Sequence, residues 1–317
     1  MDNALVQKYT IYEVIHGSKA YGTSLPTSDT DKKGVCLIPD ARYFIGMQGF
    51  EQQDGGWNED KVVYHLPKYL KLLGDNNPNI IETLWVNDSD ILTMTPAGKK
   101  LRDARQSFLT KKAKFTFSGY AISQMHRMQA HKRWLDKSPS KPEQSDFVHK
   151  HTIAIGPLGT QLSGNTKVLK VINQDEAGWF NLEVERFDSE GYDYAVTEYT
   201  NYTTWRKNRN EARAALEAKH AIDTKHSMHL VRLLRMGYEL LTEGKLYVRR
   251  PDAAELLAIR NGAWSYDEII KYAQHMEQEL EKVYKTSSLP HSPDWQMIES
   301  LQMELIRDCF QQAGTKF

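Results

Sequence analysis

Residues 8–16 are dense in β-branched and aromatic types (Tyr9, Thr10, Ile11, Tyr12, Val14, Ile15), and Gly17-Ser18 breaks the run abruptly. The pattern predicts a strand that ends in a tight turn. A short helix or turn is expected through 20–25, ended by Pro26; Ser28-Asp29-Thr30-Asp31 then leads into a second strand-like run, Thr30 to Ile38, closed by Pro39. Side chains alternate along a strand, so carboxylates at i and i+2 point to one face. Asp29 and Asp31 are therefore expected side by side next to a glycine–serine turn. Paired carboxylates suit hard divalent cations, and the N–H groups and hydroxyl of such a turn suit phosphate oxygens.

The remainder of the first hundred residues continues in short elements. Residues 49–58, with Gly49, Gly55 and Gly56, read as a loop, and Lys61 to Leu66 as a third strand. Pro67 opens an amphipathic helix, Asn76-Asn77-Pro78-Asn79 punctuates, and Ile80, Ile81, Leu84 and Trp85 form a compact apolar helix carrying Glu82. After Pro96 the character changes. Residues 97–135 read as mostly helical, 137–165 as a long connection, and 166–205 as partly strand-like. Helical periodicity then dominates from Asn208 to Tyr284, and a last helix is expected from Trp295 to Gln312. The expected organisation is an α+β catalytic domain over 1–98, then a mainly helical substrate-binding domain over 99–317. That second domain carries a less regular insertion around 137–205.

Whole-chain charge is uninformative, because Lys+Arg 41 balances Asp+Glu 41 over 317 residues. Its distribution is not even. Between Lys99 and His151 there are 13 Lys/Arg against 4 Asp/Glu, whereas Asn173 to Glu198 holds 1 basic and 8 acidic residues. Such polarisation can steer a polyanion toward one region. Cys36 sits within an apolar run and reads as a small buried hydrophobe, far in sequence from Cys309, so a reducing cytosol fits better than a disulfide framework. No basic-then-apolar leader and no bilayer-length apolar run is evident, which disfavours secretion and membrane insertion.

The chemistry that best suits the acidic pair beside the turn is nucleotidyl transfer. A nucleoside monophosphate leaves its pyrophosphate while a hydroxyl attacks, and two Mg²⁺ (or Mn²⁺) ions stabilise the attacking and leaving oxygens. Asp29 and Asp31 are the candidate ligands. Asp60, at the start of the third strand, is the candidate third carboxylate, with Glu59 the alternative because a one-residue slip flips the face. Gly17 would let the backbone approach the phosphates and Ser18 would donate its hydroxyl, with added favourable charge from the following helix start. Lys19 would help to neutralise the NTP, and Ser28 would shape the turn or touch the nucleotide.

The helix expected around 211–243 places Ser227, Val231, Leu234, Tyr238 and Leu241 on one face, and Lys225, His229, Arg232 and Met236 opposite. Lys225, His229 and Arg232 form a second candidate nucleotide-binding group, weighed against an ordinary solvated face. Asp223, His226 and His229 could ligate zinc, but without a nearby cysteine packing or phosphate contacts are favoured. His126/His131 and His149/His151 read as surface histidines in a basic region.

Gly17-Ser18-x-Ala20-Tyr21-Gly22-Thr23 followed by Ser28-Asp29-x-Asp31-x-x-Gly34-Val35 resembles the active-site signature of the DNA polymerase β-like nucleotidyltransferase superfamily. More narrowly, the chain is similar to predicted bacterial and phage nucleotidyltransferases of the RNA-repair polymerase-β-like type. The resemblance continues through Tyr64-x-Leu66-x-Lys68-Tyr69, Asn77-Pro78-Asn79-x-x-Glu82-x-Leu84-Trp85 and Gly119-Tyr120-x-x-Ser123-Gln124. It returns at Asp223-Thr224-Lys225-His226-x-x-His229-Leu230-x-Arg232-Leu233, Ile259-Arg260-Asn261-Gly262 and Leu289-Pro290. It implies a small mixed sheet flanked by helices, then a largely helical domain, with NTP and Mg²⁺ in a cleft. Gly17 and Ser18 match the phosphate-binding turn, and Asp29 and Asp31 the metal ligands; some relatives carry an acid where this chain has His65.

The expected acceptor is the 3′ end of an RNA, since the basic segment 99–134 interleaves Phe108, Phe115, Phe117, Tyr120 and Trp134, as single-strand platforms do. Transfer to a protein side chain or small molecule is the alternative enzymatic reading. A non-catalytic nucleotide- or RNA-binding module is the alternative outside enzymes.

Overall fold

The computed structural model describes residues 3–45, 49–55, 60–156, 162, 164–209 and 211–315. The alternative ligand Glu59 lies outside them. In chain order the elements of the first part are α1 (Asn3–Lys8), β1 (Thr10–Ile15), α2 (Gly17–Tyr21), β2 (Lys32–Cys36), β3 (Gln52–Asp54), β4 (Lys61–His65), α3 (Leu66–Gly74), α4 (Pro78–Ile81), β5 (Ile91–Met94) and α5 (Pro96–Asp103). They continue with α6 (Ala113–Asp136), β6 (Val148–Ile155), β7 (Thr166–Gln174), β8 (Phe180–Phe187), α7 (Ser189–Asn208) and α8 (Glu211–His220). The chain ends in α9 (Thr224–Glu243), α10 (Ala253–Arg260), α11 (Tyr266–Thr286) and α12 (Trp295–Ala313).

Two compact units result, one of residues 1–129 with 222–317 and one of residues 130–221. In the first, five strands form a mixed sheet in the order β3-β4-β2-β1-β5. β1 runs antiparallel to both β2 and β5, β3 antiparallel to β4, and β2 parallel to β4. This is the small mixed α+β sheet that the sequence motifs implied. Its hydrophobic side shares one core with the C-terminal helices: Val14, Val35, Leu37, Leu70 and Leu84 belong to the same cluster as Leu230, Leu240, Leu256, Ile269, Leu280 and Leu305. The division expected at residue 98 therefore does not coincide with the packing, because α9–α12 supply part of the core beneath the sheet. Gly98 shows how close the layers lie, since a Cβ there would fall 2.2 Å from the Ile11 carbonyl oxygen on β1.

Several segments differ from their expected structure. The loop expected over 49–58 contains β3, and β5 precedes the helical region. In the second unit the connection expected over 137–165 contains β6, and Ser189–Asn208 forms a helix whose N-terminus is capped by the Asp188 side chain accepting from Gly191 N. β6, β8 and β7 form a three-stranded antiparallel sheet in that order. Trp134, Tyr202, Trp205 and His131 pack ring against ring in the same unit, with centroids 5.1–6.0 Å apart for the pairs His131–Trp205 and Trp134–Tyr202. No helix among the described residues is long and apolar enough to cross a membrane.

His65, at the end of β4, is 2 % exposed and lies against Phe44 and Phe50, with ring centroids 4.8 and 5.1 Å away. Burial in this apolar setting lowers its pKa to about 4. An unfolded histidine takes up its proton near pH 6.5. Between pH 6.5 and 4 the unfolded chain thus binds the extra proton, and stability falls as pH falls through that window. Urea unfolding at pH 7 and pH 4.5 checks this. The wild type is expected to lose about 2–3 kcal/mol more than His65→Leu over that interval. An equal loss in both proteins contradicts the burial of a neutral ring.

Candidate active site

The strand order brings three chain positions to one edge. Antiparallel pairing sets Ile15, the last residue of β1, opposite Lys32, the first of β2, and His16 N donates to the Asp31 carbonyl at 2.9 Å. Parallel pairing sets Lys61 beside Lys32, and Lys32 N donates to the Asp60 carbonyl at 2.8 Å. The glycine–serine turn, Asp31 and Asp60 are thus neighbours by topology alone.

Gly17 adopts φ +67°, and a Cβ there would lie 1.8 Å from Asp31 Oδ2. Only glycine fits, because the Asp31 carboxylate occupies the space a side chain would need. The turn's glycine accordingly makes room for an acid, in addition to whatever it offers phosphates. The Asp31 and Asp60 carboxylates lie within hydrogen-bonding reach of each other, and burial followed by the charge and hydrogen bonding of Asp60 raises the Asp31 pKa to about 6. Lys33 and Lys225 act in the opposite direction on the same group.

The alternation argument for Asp29 and Asp31 does not apply as expected, since β2 begins at Lys32 and both aspartates precede it. Asp29 is exposed, and among the described residues it makes no hydrogen bond or ion pair. Ser28 holds the approach to this loop: its hydroxyl accepts from Leu25 N at 2.8 Å, and its own N–H donates to the Leu25 carbonyl at 2.9 Å. Lys19 donates to the Thr30 hydroxyl, tying α2 to the same loop. Ser18 lies within α2, which is a five-residue helix closed by left-handed Gly22.

Behind this edge sits a buried carboxylate that sequence reasoning assigned no role. Glu82 is fully buried; its Oε2 accepts from the Tyr21 hydroxyl at 2.5 Å and lies 3.2 Å from His16 Nε2, while its Oε1 accepts from Arg232 Nη1 at 2.8 Å. The Arg232 guanidinium also lies 3.8 Å from the centre of the Tyr21 ring. Burial alone would raise the Glu82 pKa, but Arg232, His16 and Tyr21 outweigh it and hold the carboxyl far below its usual range. The only signal in the sequence was a lone acid within an apolar helical run. Lys33, also unassigned, donates to the Asn79 carbonyl at 2.9 Å, and burial lowers its pKa to about 8 against the pull of Glu82 and Asp31.

Arg232 is therefore corrected from nucleotide contact to buried partner of Glu82, at 4 % exposure. Met236, expected on the same polar stripe, is buried as well. α9 is covered on both faces over much of its length because α10 and α11 flank it. Its first turns behave differently. Lys225 is exposed and acts on Asp31; His229 is half-buried, its pKa lowered by burial and then by the positive charge of Arg232, Lys225, His226 and Arg260. Arg260 Nη1 also reaches the Thr23 carbonyl at 3.4 Å, which brings the end of α10 to the α2 side of the sheet. For the zinc alternative, Asp223 caps α9 by accepting from His226 N at 3.1 Å, and His226 Nδ1 is 2.6 Å from Gln124 Oε1.

The edge thus joins a glycine turn and two carboxylates with Lys225 of α9, which acts on Asp31. Residues 4–141, less than half of the chain, match the model of the RNA repair pathway DNA polymerase beta family, RlaP. The chain is also similar to a protein of Enterobacteria phage T4 described as an uncharacterized 38.9 kDa protein in the nrdC-mobD intergenic region. That similarity is 24 % identity over 185 residues, covering 55 % of this chain and 47 % of the phage protein, about half its length. No solved structure matches.

Removing one member of a buried ion pair leaves the other uncompensated, at a cost of roughly 3–5 kcal/mol. Glu82→Met and Arg232→Met are each expected to lose about 3 kcal/mol or more in urea unfolding, whereas the double substitution recovers most of that loss. Additive losses in the double variant contradict a direct pair.

Proposed function

We propose that this protein is a nucleotidyltransferase that moves a nucleoside monophosphate from an NTP to a hydroxyl acceptor, the 3′ end of an RNA. The observation that carries the reading is the meeting of the Asp31 and Asp60 carboxylates at the edge where Gly17 turns, with Lys225 acting on the same Asp31. Two carboxylates held against each other, with the Asp31 pKa raised, suit a divalent cation, whose charge would favour the ionised form of Asp31. The donor set fits Mg²⁺ or Mn²⁺. Asp31 and Asp60 would hold the cations, with Asp29 reaching in from the exposed loop. Bound there, they would supply charge neutralisation for the attacking and leaving oxygens.

The chain's own groups divide the remaining work. Lys225, which acts on Asp31, and Arg260 offer positive charge, and neutral His229 an N–H donor, to neutralise and hold the triphosphate of an NTP. The turn at Gly17-Ser18 offers backbone and hydroxyl donors to the same phosphates. Lys19 braces the loop that carries Asp29, and Ser28 shapes that loop. Glu82 fixes the turn and the basic helix together, since Tyr21 follows the one and Arg232 belongs to the other. Free, buried Cys36 and partly covered Cys309 fit a reducing cytosol.

Incubation with labelled NTPs, Mg²⁺ and pooled RNA tests the reading. Label on RNA is the expected result; label on the protein itself points to the alternative acceptor, and none with any acceptor contradicts an enzyme. Asp29→Ala, Asp31→Ala and Asp60→Ala are expected to lower transfer by at least about a hundredfold with the fold retained. Unchanged turnover in any of them removes that residue from the site.

Stability provides a readout independent of turnover. A raised folded-state pKa means that Asp31 opposes folding as pH rises from its unfolded value toward 6. In EDTA at pH 7.5, Asp31→Asn is expected to stabilise the protein by about 1 kcal/mol, given the partial exposure of the group, and to have little effect at pH 4. Destabilisation at pH 7.5 contradicts a crowded pair of acids.

A further inference from the structure

The second unit carries charges that the site in the first does not use. Along β8 the side chains alternate between two faces. On one, Glu185 lies opposite both Lys150 of β6 and Lys167 of β7, and Glu183 pairs with Lys170 at 2.9 Å. On the other, Arg186 lies opposite His149 of β6 and Thr166 of β7, with His151 two residues along from His149. The lysines of the first face are thus matched by carboxylates, whereas among the described residues Arg186, His149 and His151 pair with none.

Several acids of the surrounding stretch have local partners. Asp175 accepts from Ala177 N and Trp179 N, Glu198 accepts from Trp134 Nε1, and Asp188 accepts from Gly191 N as the cap of α7. Arg186, His149 and His151 line one open cleft of about 470 Å³, with Asn165, Ser189 and Glu190 at its rim. Asn165 Nδ2 donates to the Ser189 hydroxyl at 3.2 Å, leaving the other amide and hydroxyl valences for a ligand. Asp188 lines the cleft as well, so an incoming anion must tolerate two acids, Asp188 and Glu190.

We propose that this cleft binds a backbone phosphate of single-stranded RNA, so that the 130–221 unit is an acceptor-holding module. The inference rests on the RNA-directed reading of the function above. Arg186 supplies a planar fork that matches phosphate oxygens, and the two histidines and Asn165 add donors around it. Phe180 and Trp179 are exposed at the other end of β8, apolar and aromatic surfaces on the same sheet that suit unstacked bases. Phosphate is the shared chemistry of RNA, NTP and free phosphate, and an internal phosphodiester is the source favoured by aromatic surface elsewhere on the same sheet.

Fluorescence anisotropy of the full chain with a labelled single-stranded RNA lacking terminal phosphates tests the proposal. The His149→Ala/His151→Ala/Arg186→Ala variant is expected to bind at least about tenfold more weakly, with a shallower salt dependence. Arg186→Lys is expected to retain part of the affinity, and Lys150→Ala/Lys167→Ala on the opposite face nearly all of it. Calorimetric NTP binding is expected to be unchanged in the triple variant. Unaltered RNA affinity in that variant, binding that requires a terminal phosphate, or a parallel loss of NTP binding overturns the proposal. Because no turnover is read, Asp31→Asn is expected to bind RNA as the wild type does. A wild type that binds RNA through the cleft yet transfers nothing sinks the enzymatic reading alone.

Discussion

The buried Glu82 carboxylate is the interaction on which the first unit's arrangement depends. A carboxylate removed from water is tolerated only with opposite charge and hydrogen-bond donors around it. Here the partners come from three places in the chain: His16 and Tyr21 bracket the turn at Gly17-Ser18, and Arg232 projects from the middle of α9. Each partner is covered in turn, so none can shift without exposing a charge or orphaning a donor. The requirement to satisfy one acid thereby fixes the end of the first strand, the turn with α2, and the basic helix relative to one another.

That coupling explains why the edge of a small sheet can concentrate so much chemistry. β1 and β2 are antiparallel, β2 and β4 parallel, and the consequence is that one strand end and two strand starts coincide. The acidic groups stand at this corner, and Lys225, near the start of α9, acts on Asp31 there. Repulsion between Asp31 and Asp60 is tolerated within a structure that the core beneath stabilises. Lys33 and Lys225 offset part of that repulsion.

Much of the first unit was legible in the sequence because its strands follow simple patterns. β1, β2 and β4 are short β-branched runs bounded by glycine, proline or charged residues, and the structure places each within a residue or two of its expected position. Asp31 was singled out by an alternation with Asp29 that the strand start at Lys32 does not support, and Asp60 by its place at the start of β4. Other features depended on tertiary partners that a periodicity argument does not see. Arg232 and Met236 looked like members of a polar stripe, yet α9 is packed on both sides. Phe108 and Phe117, set among lysines, resembled a stacking platform but are core residues, while Lys100, Lys112 and Lys114 pair with Glu304, Asp75 and Glu281. α7 was read as partly strand-like because tyrosine and threonine dominate it, and its helix is declared mainly by the cap at Asp188.

The crystal structure of the protein with a non-hydrolysable NTP and Mg²⁺ bears on the centre of this picture. A nucleotide whose triphosphate lies between the Gly17 turn and Lys225, with cation density bounded by the carboxylates of Asp31 and Asp60, is the outcome expected. A nucleotide bound elsewhere, or cations that leave both aspartates without a metal contact, would contradict it.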